Sequence, residues 1–509
     1  MDKRTLLAVV LSMAVLLIFQ FIYSPAPVVT DNASAGNTTV SNTTSQDEGK
    51  NLEQNINTET IQANTLTDLE IKKFDVETEN LVITFNENTG NINSVKIKNF
   101  EHAGISPKFQ TKSDDYFKIK SLSGNVVKSK VYNENNKKVV EFDFENNGLF
   151  STRKYIIDDT YLITVSETLS NISDSTYKIP FETIIGPDLG EGFAESKYLF
   201  SGPLAYNGKK VKQERPQKIK EDIEINDAVW FGYTSKYFAF LKINNDDKNA
   251  VFKKYKDSAI IFSSSETILN PQSKIEKNFQ LFVGPKKYDL LKSYGHSLEK
   301  SIDFGVFSFL AIPMLKIMNI FFDVTKNYGW AIILLTIIIK IITYPLTFKS
   351  MASMKKMKDL QPKMAEIKEK FKGDAQKMNA AMMELYRKHG VNPMGGCLPI
   401  LIQIPIFFAL YKALLVSIEL KGAPFIFWLA DLSEKDPYYI TPILMGASMF
   451  FQQKLTPSAG DPMQQKLFMF MPIIFTFMFL NFPSGLVIYW LTNNILSIIQ
   501  QIIINKKTA

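Results

Sequence analysis

The chain has 509 residues, 45% of them hydrophobic and 21% charged, with a mean hydropathy of -0.04, figures ordinary for a soluble protein with room for about three domains. The averages conceal a split: residues 1–303 carry 37 Lys and Arg against 40 Asp and Glu, whereas residues 304–509 carry 21 against 11 and are the more apolar part. One cysteine, Cys397, excludes an internal disulfide framework, and the scattered His102, His296 and His389 supply neither a zinc-ligand cluster nor a Cys–His nucleophile pair, so no metal and no cofactor is expected.

In chain order, residues 1–23 open with Lys3 and Arg4 and continue as an uncharged apolar run, Leu6 to Tyr23. At about 18 residues the run suits a retained transmembrane anchor better than a cleaved signal, whose apolar stretch is shorter. Residues 24–66 are Ser, Thr, Asn, Gln and Asp with almost no aromatics, a composition unable to bury a core and expected to form a disordered linker. From residue 67 to 300 the pattern turns to period two: Leu81–Phe85, a turn through Asn88-Thr89-Gly90, then Ile92–Ile97, with similar short runs at Val139–Phe144, Tyr155–Ile157, Tyr161–Val165 and Ala259–Phe262. Many short strands without alternating helices predict an antiparallel β-sandwich, followed by a helical connector from Lys286 to Lys300. Residues 301–326 are aromatic and aliphatic but contain Pro313 and Lys316, which favours a helix lying in the membrane interface.

Residues 327–509 read as a membrane core. Ala331 to Thr347 forms a span whose one charge is Lys340, and a dense series of basic residues follows it, from Lys349 to Lys388. The positive-inside rule makes that segment cytoplasmic. Apolar runs at Leu398–Leu420, Pro437–Phe451, Leu467–Leu480 and Leu486–Ile504 then complete six passes, with both termini inside. An ammonium at membrane depth costs at least about 2.5–3.5 kcal/mol, so Lys340 is functional by default. Thr336 stands four residues earlier, on the same helix face, and the candidate carboxylates Glu419, Asp431, Glu434, Asp436 and Asp461 all fall at ends or in loops. Two readings remain: a wetted cavity, or a stem snorkelling to the cytoplasmic headgroups. Gln403, Tyr489, Trp490 and Asn493 are the further candidates for a cavity wall, while Lys412 lies nearer the outer end of its span. In the cytoplasmic segment 350–390, Met351, Met354 and Met357 recur at helical spacing, with Met382 and Met383 further on and Lys355 and Lys356 between. A deformable Met face for varied apolar sequences and a self-packed helical hairpin both fit this pattern.

Several stretches carry a resemblance: Asn327-Tyr-Gly-Trp330, Tyr344-Pro-Leu-Thr347, Leu360-Gln-Pro-Lys363, Asn392 to Gln403, Asp436-Pro-Tyr-Tyr439, Pro442 to Gly446, Asp461 to Gln465 and Asn481 to Gly485. In this order they closely resemble the YidC-type membrane protein insertases of Gram-negative bacteria. The resemblance implies a polytopic α-helical membrane protein of six spans with a five-helix core and a large periplasmic antiparallel β-sandwich, resident in the bacterial inner membrane. It implies a non-enzymatic activity: accepting hydrophobic segments of nascent membrane proteins, alone or beside the Sec translocon, and releasing them laterally into membrane lipids. In that family a cation of the second span sits in a hydrophilic groove, and Lys340 occupies its place where relatives commonly carry Arg. Lys keeps the charge and gives up the planar fork, leaving point-charge attraction. Trp490 stands where Tyr is often found, and the short tail after Ile504 leaves weak ribosome contact to the cytoplasmic loops. No small-molecule substrate is implied. The rival function, an ion-coupled transporter using the same Lys, expects duplicated halves with broken helices, and the spans contain no such repeat.

Overall fold

The computed structural model describes residues 72–507 except 113, 123–125, 195–198, 245–248, 392–397 and 456–461. The expected anchor 1–23, the linker 24–66, Cys397 and Asp461 lie outside the described residues. Two compact units emerge: residues up to Asn99 with Ser106–Gly284, and Phe100–Ile105 with Pro285 onward.

The first unit is the antiparallel sandwich that period-two patterning predicts. One nine-stranded sheet runs Lys73–Glu77, Leu81–Asn86, Asn91–Ile97, Phe117–Lys120, Tyr177–Ile185, Ser258–Leu269, Ala250–Tyr255, Ile223–Ile225, with Lys108–Gln110 beside Asn91–Ile97. The other, also nine-stranded, runs Val211–Gln213, Gly202–Tyr206, Trp230–Thr234, Phe238–Ile243, Lys274–Pro285, Leu162–Asn171, Leu149–Ile157, Lys137–Asn146, Val126–Glu134. Strand Leu149–Ile157 alternates buried and half-buried residues along its whole length, as a strand with one face on a core must. The first turn needs its glycine: Gly90 has φ +62°, and a Cβ there would meet the Phe144 ring at 2.8 Å. Phe85 meets Phe142 and Tyr155 of the opposite sheet at ring-centroid distances of 5.9 and 4.9 Å. Through this core passes a buried ion pair: Arg153 Nε donates to Glu167 Oε2 at 2.8 Å, Nη1 to Asn91 Oδ1 at 2.9 Å and Nη2 to the Ile119 carbonyl at 3.2 Å. The guanidinium thus joins the two sheets, and its fork is fully occupied.

The second unit is helical. A connector helix α1 (Tyr288–Ser293) leads to α2 (Ser308–Thr325) and α3 (Tyr328–Asp359). Then come α4 (Gln361–Lys370), α5 (Ala375–Lys388), α6 (Leu398–Val416), α7 (Ile440–Leu455), α8 (Pro462–Phe479) and α9 (Ser484–Lys507). Asn327 starts α3 by accepting from the Gly329 and Trp330 amides at 2.9 and 3.3 Å. By length and composition α2, α3 and residues 484–504 of α9 are able to cross a membrane, and shorter apolar stretches lie at Leu401–Val416 and Met469–Phe479. Helix α3 runs unbroken from Tyr328 to Asp359 through Pro345, past the expected span end at Thr347 and into the 350–390 segment. The change from apolar to basic side chains alters the solvent without interrupting helical propensity. Helix α3 packs against α2 and α9, α6 against α2, and α7 against α8 and α9. At the α7–α8 crossing, Gly446 leaves no room for a Cβ against the Thr476 hydroxyl, the close approach that small residues permit between membrane helices.

Candidate functional site

Lys340 lies on α3, partly buried, and its Nζ donates to Ser497 Oγ of α9 at 2.6 Å. Ser497 in turn donates to the Asn493 carbonyl at 2.8 Å. No charged group among the described residues faces Lys340; it is held by a neutral hydroxyl that cannot cancel its charge. Asn493 Oδ1 and Gln500 Oε1, both on α9, are buried without a hydrogen-bond partner among the described residues, so α9 retains unused acceptor capacity within about one turn of Ser497.

A second polar contact lies further along α9. Gln403 Nε2 of α6 donates to the Tyr489 hydroxyl, and Tyr489 is fully buried. Tyr489, Asn493 and Ser497 follow each other at intervals of four, so they share one helix face, and at 1.5 Å per residue the stripe is about 12 Å long. Helices α3, α6 and α9 therefore each contribute a polar side chain to the helical unit's interior, through Lys340, Gln403 and this stripe.

The other candidates are placed differently. Thr336 is buried, and its hydroxyl donates to the Ile332 carbonyl of its own helix at 2.7 Å, a bond that satisfies it within hydrocarbon. Trp490 packs among Phe407, Phe475 and Phe479 at centroid distances of 5.0, 6.1 and 5.4 Å, one position round α9 from the stripe. Lys412 is paired: Asp303, in the segment just before α2, lies within 3.4 Å of its Nζ. Ser497 is absent from the candidates named from sequence, although its place four residues after Asn493 in an apolar run was a usable signal.

In the hairpin that follows α3, Leu360, Met364 and Val391 form a small core on which Met357, Met382, Leu385 and Tyr386 pack. Asp374 caps α5 by accepting from the Lys377 amide at 3.0 Å, and Gly390 ends it at φ +61°. Met351 is buried and Met354 half-buried, while Met383 is half-exposed. Met357 and Met382 thus fill the hairpin's own seam, and Met383 and Lys356 face outward beside Lys355.

A folded antiparallel domain attached to apolar helices, one of which carries a partly buried cation and continues into a basic helical hairpin, defines a polytopic membrane protein with a large extramembrane domain. The profile of the 60Kd inner membrane protein family matches residues 320–509, and that of the YidC periplasmic domain matches residues 73–317. The chain is 40% identical over 534 residues to the membrane protein insertase YidC of Geotalea daltonii, covering 99% of both chains. It is 46% identical over 370 residues to that of Geobacter sulfurreducens, covering 71% of this chain and 69% of the relative. The chain belongs to the YidC family of membrane protein insertases. Among solved structures, an active YidC insertase with its first transmembrane domain resolved matches over 85% of this chain and 92% of its own, at 20% identity and a TM-score of 0.40.

Proposed function

We propose that this protein inserts hydrophobic segments of nascent membrane proteins into the bacterial inner membrane, receiving them along the polar seam of α3, α6 and α9 and releasing them sideways into lipid. The observation that carries this reading is Lys340, set on a neutral serine inside an apolar helix with no carboxylate facing it among the described residues. A substrate tail bearing Asp or Glu must cross hydrocarbon, and one cation with nearby polar groups shortens the dry path and offsets the tail's charge. The driving force is burial of the substrate's apolar segment, about 0.8 kcal/mol per CH₂, together with the membrane potential. Family membership supports this over the ion-coupled transporter. In the full reading the chain makes six passes, with both termini and the 350–390 hairpin in the cytoplasm, the sandwich in the periplasm and residues 301–326 along the interface. Substrates arrive alone or with the Sec translocon, and ribosome contact through the cytoplasmic loops is weak.

Photocrosslinkers at Gln403 and Asn493 should capture a stalled nascent segment, with much weaker capture at Phe477, which is 68% exposed on α8. Equal capture at all three positions would remove the seam from the account.

A further inference from the structure

The loop joining α6 to α7 is a rigid scaffold with a hydrophobic tip. Lys421 pairs with Asp431 and Glu434 at 3.0 and 2.8 Å. The Leu432 amide donates to the Ala423 carbonyl at 3.0 Å, and the Ser484 and Gly485 amides at the start of α9 donate to the backbone carbonyls of Glu434 and Leu432 at 2.7 and 3.0 Å. Phe425 is held from the α3 side: Asn327 Nδ2 donates to its carbonyl at 3.1 Å, its ring meets Trp330 at 5.5 Å, and Gly329 leaves no room for a Cβ against it. Trp428 is fixed by its indole N–H, which donates to Asp436 Oδ1 at 3.0 Å. Between these two clamped aromatics stands Phe427, 89% exposed and at φ +52°. A bulky residue adopts that left-handed conformation only at a cost, and here it leaves the phenyl ring stacked on the Trp428 indole at 6.0 Å with most of its surface exposed.

The surroundings of the tip say what covers it. The loop opens from the ends of α6, α7 and α9 opposite the basic hairpin, which is the extracytoplasmic side in the six-pass orientation proposed above, on which this inference rests. Trp330, Tyr438 and Tyr439 are 47%, 66% and 37% exposed at this same end, and Ile443 and Leu444 continue the exposed apolar surface one turn into α7. The tip is therefore continuous with the lipid-facing surface of the spanning helices and belongs to an aromatic band of the kind found at headgroup depth. We propose that Phe427 is a membrane-interface anchor, inserted at the headgroup–acyl boundary of the outer leaflet, which fixes the depth of the extracytoplasmic ends of α3, α6, α7 and α9. This inference does not depend on the Lys340 seam.

The test uses the full chain in phosphatidylethanolamine–phosphatidylglycerol liposomes, with Cys397→Ser removing the only cysteine and a nitroxide attached through Phe427→Cys or, as a control, Lys435→Cys. At 427, collision with lipid-soluble oxygen should exceed collision with an aqueous nickel chelate; at 435 the order should reverse. Nickel dominance at 427 places the tip in water, and low accessibility to both reagents means that protein covers it; either result overturns the proposal. Phe427→Gly provides an independent arm, since glycine accepts φ +52° freely. That variant should melt at or above the parent's temperature in detergent while the label at Lys435→Cys moves to a different depth in liposomes. An unchanged depth would also overturn the anchor.

Discussion

Lys340 and Ser497 make the smallest unit on which the account rests. A 2.6 Å contact to a hydroxyl orients the ammonium without neutralising it, and that separates a cation available to a substrate from one locked in a salt bridge. Ser497→Ala removes the acceptor and leaves a partly buried cation short of a partner, a loss of about 1–3 kcal/mol. It should appear as a lower melting temperature in detergent, with Ser497→Thr close to the parent. Lys340 was legible in the sequence because a charge inside an apolar run is conspicuous in any register. The direction of Thr336 was not, since helical spacing fixes the face but not whether a hydroxyl turns back onto its own helix. Trp490 is adjacent to Tyr489 in sequence, yet one step along a helix is about 100° of rotation, which sets it among aromatic rings rather than in line with Tyr489, Asn493 and Ser497.

Among the elements, the membrane helices meet through small residues and the loops through carboxylates. Gly446 allows α7 to lie against the Thr476 hydroxyl of α8, so Gly446→Val should separate the two helices and cost about 1–3 kcal/mol by overpacking, read as a lower melting temperature with α8 more accessible to protease. Asp436 organises the start of α7. Burial works against its charge, but hydrogen bonds from the Thr441 amide and hydroxyl, the Tyr438 amide and the Trp428 indole outweigh that and hold its carboxyl below the usual carboxylate range. Its stabilisation is therefore complete at neutral pH and is lost as pH falls through the lowered folded-state value. Melting temperature should drop across the acid range in the parent, and the drop should be shallower in Asp436→Asn. The helical hairpin in 350–390 was readable because its ends, the Asp374 cap and the Gly390 stop, are local chemistry. The unbroken course of α3 was not, because a membrane boundary leaves a mark on side-chain polarity and none on backbone hydrogen bonding.

For the whole molecule, the unremarkable average composition resolves into two units that bury charge by different rules. In the sandwich, Arg153 and Glu167 are direct cross-strand partners, almost wholly buried and fully hydrogen-bonded. Glu167→Gln leaves the guanidinium unbalanced in the core, with a loss of about 3–5 kcal/mol, visible as earlier urea unfolding followed by the buried Trp230. The strands around that pair were evident from alternation, but their order in the two sheets was not, because register depends on contacts far apart in sequence. In the helical unit, by contrast, Lys340 faces no charged partner among the described residues, and the proposed insertion of acidic-tailed segments gives that imbalance a purpose. The most direct measurement is insertion by the purified protein in proteoliposomes of a single-span substrate whose short N-terminal tail carries Asp or Glu. Lys340→Arg should insert it as the parent does, Lys340→Glu should fail, and neutralising the tail should restore insertion by Lys340→Glu. Equal insertion of the acidic-tailed substrate by both variants would contradict the account.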